Sequence, residues 1–226
     1  PHPHPGAGLS HLAAVLRESA TVLPNLQWLH LSRNSLGNSV SCLADAARAG
    51  GMQKLRMLDL RQNDLGEDTE AAIDLVTAVL THLTNLERLW LDANGLTDAF
   101  ALGAAAALAS CNPLRLQVLD LPENAISEVG IEALAKQIAQ GSAPGLDWTQ
   151  GLNLEGNPKA SDRAVLKLLS SIQVGYANPT AKYLQGQERL DYTDLGWNDE
   201  IVQQWSAAVM RASHDVKAST SALMHL

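Results

Sequence analysis

Leucine recurs along this chain in a fixed frame. Within residues 26–36 it occupies Leu26, Leu29, Leu31 and Leu36, with Asn34 between the last two. The frame returns over 55–65 (Leu55, Leu58, Leu60, Asn63, Leu65), over 86–96 (Leu86, Leu89, Leu91, Asn94, Leu96) and over 116–126 (Leu116, Leu119, Leu121, Asn124, Ile126). A fifth copy keeps Leu152, Leu154 and Asn157 but has Thr149 in the first position, and a weaker sixth reads Leu190, Thr193, Leu195, Asn198, Ile201. The central L-x-L has period two, so it predicts a short strand with leucines on one side and their neighbours on the other. One such unit cannot bury its apolar side. Stacked about 4.8 Å apart, the units form a parallel sheet backed by a continuous leucine core. The asparagine falls where the chain leaves the strand, and its amide satisfies backbone groups left unpaired by that turn. Asn34, Asn63, Asn94, Asn124, Asn157 and Asn198 are therefore read as a structural ladder.

Spacing supplies the other half of each unit. Successive asparagines lie 29, 31, 30, 33 and 41 residues apart, and steps near 29 leave room for a full helix on the return path. Apolar residues at three- and four-residue intervals predict those helices over 70–83, 99–109, 128–139 and 162–172. Residues 9–23 read as a further helix stopped by Pro24, covering the end of the leucine core as a solenoid requires. The resulting division is a flexible leader over 1–8 and a single domain over 9–212. Within the domain, 9–24 is the N-terminal cap helix, 25–173 holds five repeats, 174–189 is an insertion, and 190–212 is a degenerate repeat with a C-terminal cap helix. A tail follows over 213–226.

The frame L-x-x-L-x-L-x-x-N-x-L, quoted above copy by copy, resembles the leucine-rich repeat. Its long, helix-bearing step is similar to the ribonuclease-inhibitor-like class, which also occurs in Ran GTPase-activating proteins and NOD-like receptor repeat regions. The resemblance covers roughly residues 12–157. It implies an α/β solenoid: a curved right-handed horseshoe segment with its parallel sheet on the concave face and helices on the convex face. It also implies protein binding through the concave face, as an adaptor or a structural subunit of a larger assembly. The same resemblance permits two alternatives, a regulator of small GTPases and a sensor fragment of the NOD-like receptor type. The first would draw its arginine from Arg33, Arg61 or Arg88.

Bulk properties narrow the partners. A formal net charge of −8 argues against a nucleic-acid binder, whose footprint is basic. No apolar run reaches the length of a membrane span, so direct membrane insertion is not expected. Cys42 and Cys111 fall in repeats too far apart to bridge, at roughly 10–15 Å. The only N-x-[ST] match, Asn178-Pro179-Thr180, carries the forbidden proline. Both points favour a reducing intracellular compartment, cytoplasmic by preference, or an organelle reached after removal of a targeting segment. No phosphate loop, dinucleotide fingerprint, H-E-x-x-H, G-x-S-x-G or C-x-x-C occurs, so neither a catalytic residue nor a cofactor is assigned. A divalent-ion site from Asp120, Asn153, Glu155 and Asp194 falls short of the six or more oxygens calcium takes, and no metal is assigned.

Functional information is expected on the open face of the sheet. The outward columns there give Trp28, His30, Met57, Asp59, Arg61, Arg88, Trp90, Asp92, Asp120, Glu123, Asn153, Glu155, Tyr192 and Asp194 as partner-binding candidates. Trp28 and Trp90 stand out because exposed aromatics anchor interfaces. Charge is uneven along the columns. Arg33, Arg56 and Arg61 stand early, whereas Asp120, Glu123, Glu155, Asp191 and Asp194 stand late, which predicts a partner that turns a basic patch to the acidic C-terminal half.

Overall fold

A computed structural model describes residues 7–18, 22–110, 115–140, 142–143, 145–146 and 152–157. The predicted helix over 162–172, the insertion, the sixth strand with Tyr192 and Asp194, the C-terminal cap and tail, and Cys111 lie outside the described residues. Five strands are present: β1 (Trp28–His30), β2 (Met57–Asp59), β3 (Arg88–Trp90), β4 (Val118–Asp120) and β5 (Leu152–Asn153). They form one parallel sheet in the order β1-β2-β3-β4-β5. The register aligns Leu29, Leu58, Leu89, Leu119 and Leu152, so the frames read from sequence stack without slippage. Leu58, Leu60, Leu89, Leu91 and Leu121 are all at most 2% exposed.

The return segments are helical: α1 (Ala7–Arg17), α2 (Ser41–Arg48), α3 (Thr69–His82), α4 (Asp98–Ser110) and α5 (Glu128–Ala139). The last three match the predicted helices to within a residue at each end. In α3 an apolar stripe of Ala72, Leu75, Val76, Ala78, Val79 and Leu80 is buried, and the Asp68 carboxylate caps the first turn by accepting from Ala71 N at 3.0 Å. Such a cap satisfies one of the donors a helix start leaves unpaired. In α5 the Ser127 hydroxyl caps Val129 N, and Asp98 reaches over from the start of α4 to accept from Ser127 N at 2.7 Å and Gly130 N at 3.2 Å. One repeat thus caps the helix of the next.

One expectation is corrected. The first helix starts at Ala7, inside the expected leader, and is continuous to Arg17; residues 19–21 lie outside the described residues, and Val22 is again helical, its N–H donating to Glu18 O at 3.1 Å. Its core-facing stripe is Leu9, Ala13 and Leu16, whereas Val22 and Leu23 are 54% and 38% exposed. The first return, left unassigned by the sequence reading, is a short 3-10 turn (Gly37–Val40) running into α2. Leu43, Ala44, Ala46 and Ala47 of α2 are buried.

The asparagine ladder is continuous. Asn63 Oδ1 accepts from Asn34 N at 2.8 Å, Asn94 Oδ1 from Asn63 N at 2.8 Å, and Asn124 Oδ1 from Asn94 N at 3.0 Å. Asn34 Nδ2 donates within its own turn, to Leu31 O and Ser32 O; from Asn63 onward each amide nitrogen donates both to its own turn and to the preceding repeat, as Asn94 Nδ2 does to Leu91 O and Leu60 O. The residue before each ladder asparagine is left-handed: Arg33, Gln62, Ala93 and Glu123 have φ of 61°, 55°, 50° and 54°, and the fifth repeat has Gly156 at 71°. That conformation costs a side-chain-bearing residue energy and costs glycine little.

Candidate functional site

The helices bury the leucine side of the sheet, and among the described residues no element packs on the other side. Period-two alternation puts two outward side chains on each strand, at 28 and 30 on β1, 57 and 59 on β2, 88 and 90 on β3. The turns add Arg61, Asp92, Glu123 and Glu155 beside them. Trp28 is 61% exposed, and His30, Arg88, Glu123, Asn153 and Glu155 are exposed as well. Met57, Arg61, Trp90, Asp92 and Asp120 are half-buried.

Asp59 departs from the expectation. It faces outward yet is 1% exposed, so it is not available to a partner. Its own neighbours cover it. Arg61 donates Nε to Oδ1 at 2.9 Å and Nη2 to Oδ2 at 2.8 Å, while the Arg61 backbone N–H also reaches Oδ1. His30 Nδ1 lies 3.3 Å from Oδ2. Trp90 completes the cover, with the Arg61 guanidinium 4.7 Å from its ring centroid and the His30 ring at 6.4 Å. Burial pushes the Asp59 carboxyl up, but the bonds from Arg61 and His30 outweigh it and hold the carboxyl below its ordinary value. Four predicted site residues, from three strands and the turn after β2, therefore form one closed cluster: His30, Asp59, Arg61 and Trp90.

The next carboxylates have no such cover. Asp120 occupies on β4 the position that Asp59 occupies on β2 and Asn153 on β5. In both of those the side-chain oxygen accepts from the backbone N–H two residues on, at Arg61 and at Glu155. Two residues after Asp120 stands Pro122, which has no N–H to offer. Burial and the Asp92 charge accordingly push the Asp120 carboxyl up to about 6, with Arg61 opposing. Burial likewise raises Asp92, and Asp59 and Glu123 repel it further, while its own backbone N–H and Arg61 oppose. Asp92 Oδ1 is shut off from solvent and accepts no hydrogen bond among the described residues.

The charge asymmetry read from sequence takes a sharper form. Arg56 donates to both carboxylate oxygens of Glu87 at 2.9 Å, Arg61 is engaged by Asp59, and Arg33 hydrogen-bonds Gln62. The early arginines are thus paired within the fold, and among the described residues no salt bridge engages Asp92, Asp120, Glu123 or Glu155, on whose side Arg61 alone is felt, by Asp92 and Asp120. Sequence reasoning placed these residues on the right face but missed the role of Pro122, which a comparison of L-D-L-R with L-D-L-P would have shown. Among the described residues no group of His, Cys, Asp and Glu is arranged to hold a metal ion, and no helix is long and apolar enough to cross a membrane. Cys42 is a free thiol.

A family model described as Leucine Rich Repeat matches residues 25–45, the span from the first frame into α2. No curated protein matches the chain. With the parallel sheet and its alternating helices, that match identifies the fold as an α/β leucine-rich repeat.

Proposed function

We propose that this leucine-rich-repeat chain is a non-enzymatic protein-binding module, an adaptor or structural subunit of a larger assembly, and that it binds through the open face of its sheet. Leucine-rich-repeat domains generally mediate protein–protein interaction, because a stack of repeats presents one extended surface. The observation that carries the reading is the open face itself. It holds a tryptophan at 61% exposure and, further along, carboxylates that no salt bridge engages among the described residues. Trp28 serves as the aromatic anchor, and the acidic β3–β5 half orients a basic patch of the partner. A subclass like that of ribonuclease inhibitor and a reducing intracellular compartment belong to this proposal, the free Cys42 thiol being consistent with the latter.

The small-GTPase regulator reading needs an arginine able to reach a nucleotide. Arg61 and Arg33 are held by Asp59 and Gln62, which leaves Arg88 and makes the binding-module reading the better supported.

Affinity capture with the full chain tests the proposal when three forms are compared: wild type, Trp28→Ala on the open face, and Val129→Glu on the exposed surface of α5. Partners retained by Val129→Glu and lost with Trp28→Ala are the expected result. Partners lost only with Val129→Glu would move the binding surface to the helix side.

A further inference from the structure

We propose that Asn94–Gly95 is a spontaneous deamidation site that the asparagine ladder keeps silent: it reacts when the repeat opens, and once it has reacted the repeat no longer closes. Asn94 is the only asparagine of the chain that glycine follows; Asn34, Asn63, Asn124 and Asn157 precede Ser35, Asp64, Ala125 and Pro158. Glycine lacks the side chain that would shield its own backbone nitrogen, and it lets the flanking peptide take the conformations that bring this nitrogen to the Asn94 Cγ. The step needs no co-reactant but water. The Gly95 nitrogen bonds to Cγ, the Cγ–Nδ2 bond breaks, and the amide leaves as ammonia with the Gly95 proton. Water then opens the resulting succinimide ring to aspartate or isoaspartate.

In the folded chain that attack is out of reach. Asn94 is 2% exposed, and its side chain is held at both ends. Oδ1 accepts from Asn63 N at 2.8 Å, while Nδ2 donates to Leu60 O at 3.0 Å, Leu91 O at 2.9 Å and Asp92 O at 3.1 Å. The Asn94 main chain is tied as well, its N–H donating to Asn124 Oδ1 at 3.0 Å and its carbonyl oxygen accepting from Gly66 N at 2.8 Å. Ring closure requires the side chain to turn away from these partners, so the reaction waits for the turn after β3 to open. The product does not fit back. An aspartate keeps an acceptor for Asn63 N but turns a second oxygen, with no proton to offer, on three carbonyl oxygens in a buried site, where an unmatched acceptor or charge is costly. Isoaspartate adds a methylene to the main chain just before Leu96, whose N–H donates to Asn124 Oδ1 at 3.0 Å and whose carbonyl oxygen accepts from Ala125 N at 2.7 Å. A transient opening thereby becomes permanent, as chemical change of an unfolded state does, and molecules that stay open are lost from the native population.

The test holds the full chain at neutral pH in two lots, native and in urea beyond its unfolding midpoint, and then dilutes both to refolding conditions. Peptide mass mapping follows the exchange of amide for acid, and circular dichroism follows the recovered fold. Expected in urea is conversion at Asn94 ahead of the other ladder asparagines, with a refolding yield that falls in step. In the native lot conversion should be slower by about tenfold or more. Gly95→Ser removes the unshielded nitrogen at little structural cost: Ser35 holds the equivalent place in the first repeat at φ 47°, and a Cβ on Gly95 would meet nothing within 4 Å. That variant should convert about tenfold more slowly in urea and keep its refolding yield; the conversion rate is readable whether or not it refolds. Asn94→Asp should lower the melting temperature far more than Asn34→Asp, because the Asn34 amide donates only within its own turn. Equal conversion in the native and urea lots, converted protein that refolds with an unchanged melt, or Gly95→Ser converting as fast as wild type would each overturn the proposal.

Discussion

Two aspartates at equivalent positions two repeats apart behave oppositely, and the cause is the residue two places on. Asp59 is followed by Arg61, whose backbone and guanidinium both donate to it; Asp120 is followed by Pro122, which donates nothing. The sign of each effect on stability follows from linkage. Asp120 is pushed up to about 6 from its usual 3.8, so the folded protein holds that proton more tightly than the unfolded chain. The resulting penalty is present at neutral pH, shrinks as pH falls through about 6, and is gone below about 4. Asp120→Asn is therefore expected to raise stability by on the order of 1 kcal/mol at pH 7.5, after allowance for solvent screening, and to have no effect at pH 3.5. Thermal melts of both proteins across that range check it; a gap independent of pH would refute the assignment. The left-handed residue before each ladder asparagine gives a second residue-scale expectation. Ala93→Gly should stabilise by on the order of 0.5 kcal/mol, since relief of the positive-φ cost slightly exceeds the added chain entropy. Urea unfolding midpoints would show it.

At the scale of elements, strands and later helices were legible because each rests on a repeated local signal. The L-x-L frame sets side-chain direction by period two, and the ladder asparagines set the turn, so the register of β1 to β5 could be read directly. The helices over 69–82, 98–110 and 128–139 carry long apolar stripes. What escaped was structure whose cause is non-local or whose signal is short. The eight-residue α2 is too brief for periodicity to declare itself. Asp59 was placed on the correct face, yet its burial depends on Trp90 and His30 leaning over it from the strands on either side. The left-handed position was hidden because Arg33, Gln62, Ala93 and Glu123 share no side-chain chemistry; Gly156 alone hints at it. The Asp98 cap on Ser127 spans two repeats, so no single frame contains it.

For the molecule as a whole, each repeat is held by its neighbours through the leucine stack, the ladder and the helix contacts. A charge placed in the middle of that stack disturbs the interfaces on both sides. Leu60 is fully buried beside Leu91 and Leu31, so Leu60→Asp should cost several kcal/mol by burying an unpaired carboxylate. Equilibrium unfolding measures this, and a near-native melt would show that the leucine side faces water. The same alternation that hides Leu60 leaves the opposite face for a partner, and hydroxyl-radical footprinting of the captured complex tests that link most directly. Trp28, Leu102 and Val129 are 61%, 48% and 58% exposed in the free chain, the first on the open sheet face and the other two on α4 and α5. Binding should lower oxidation of Trp28 and leave Leu102 and Val129 as reactive as before; protection of the two helix residues with Trp28 still reactive would contradict an open-face binding surface.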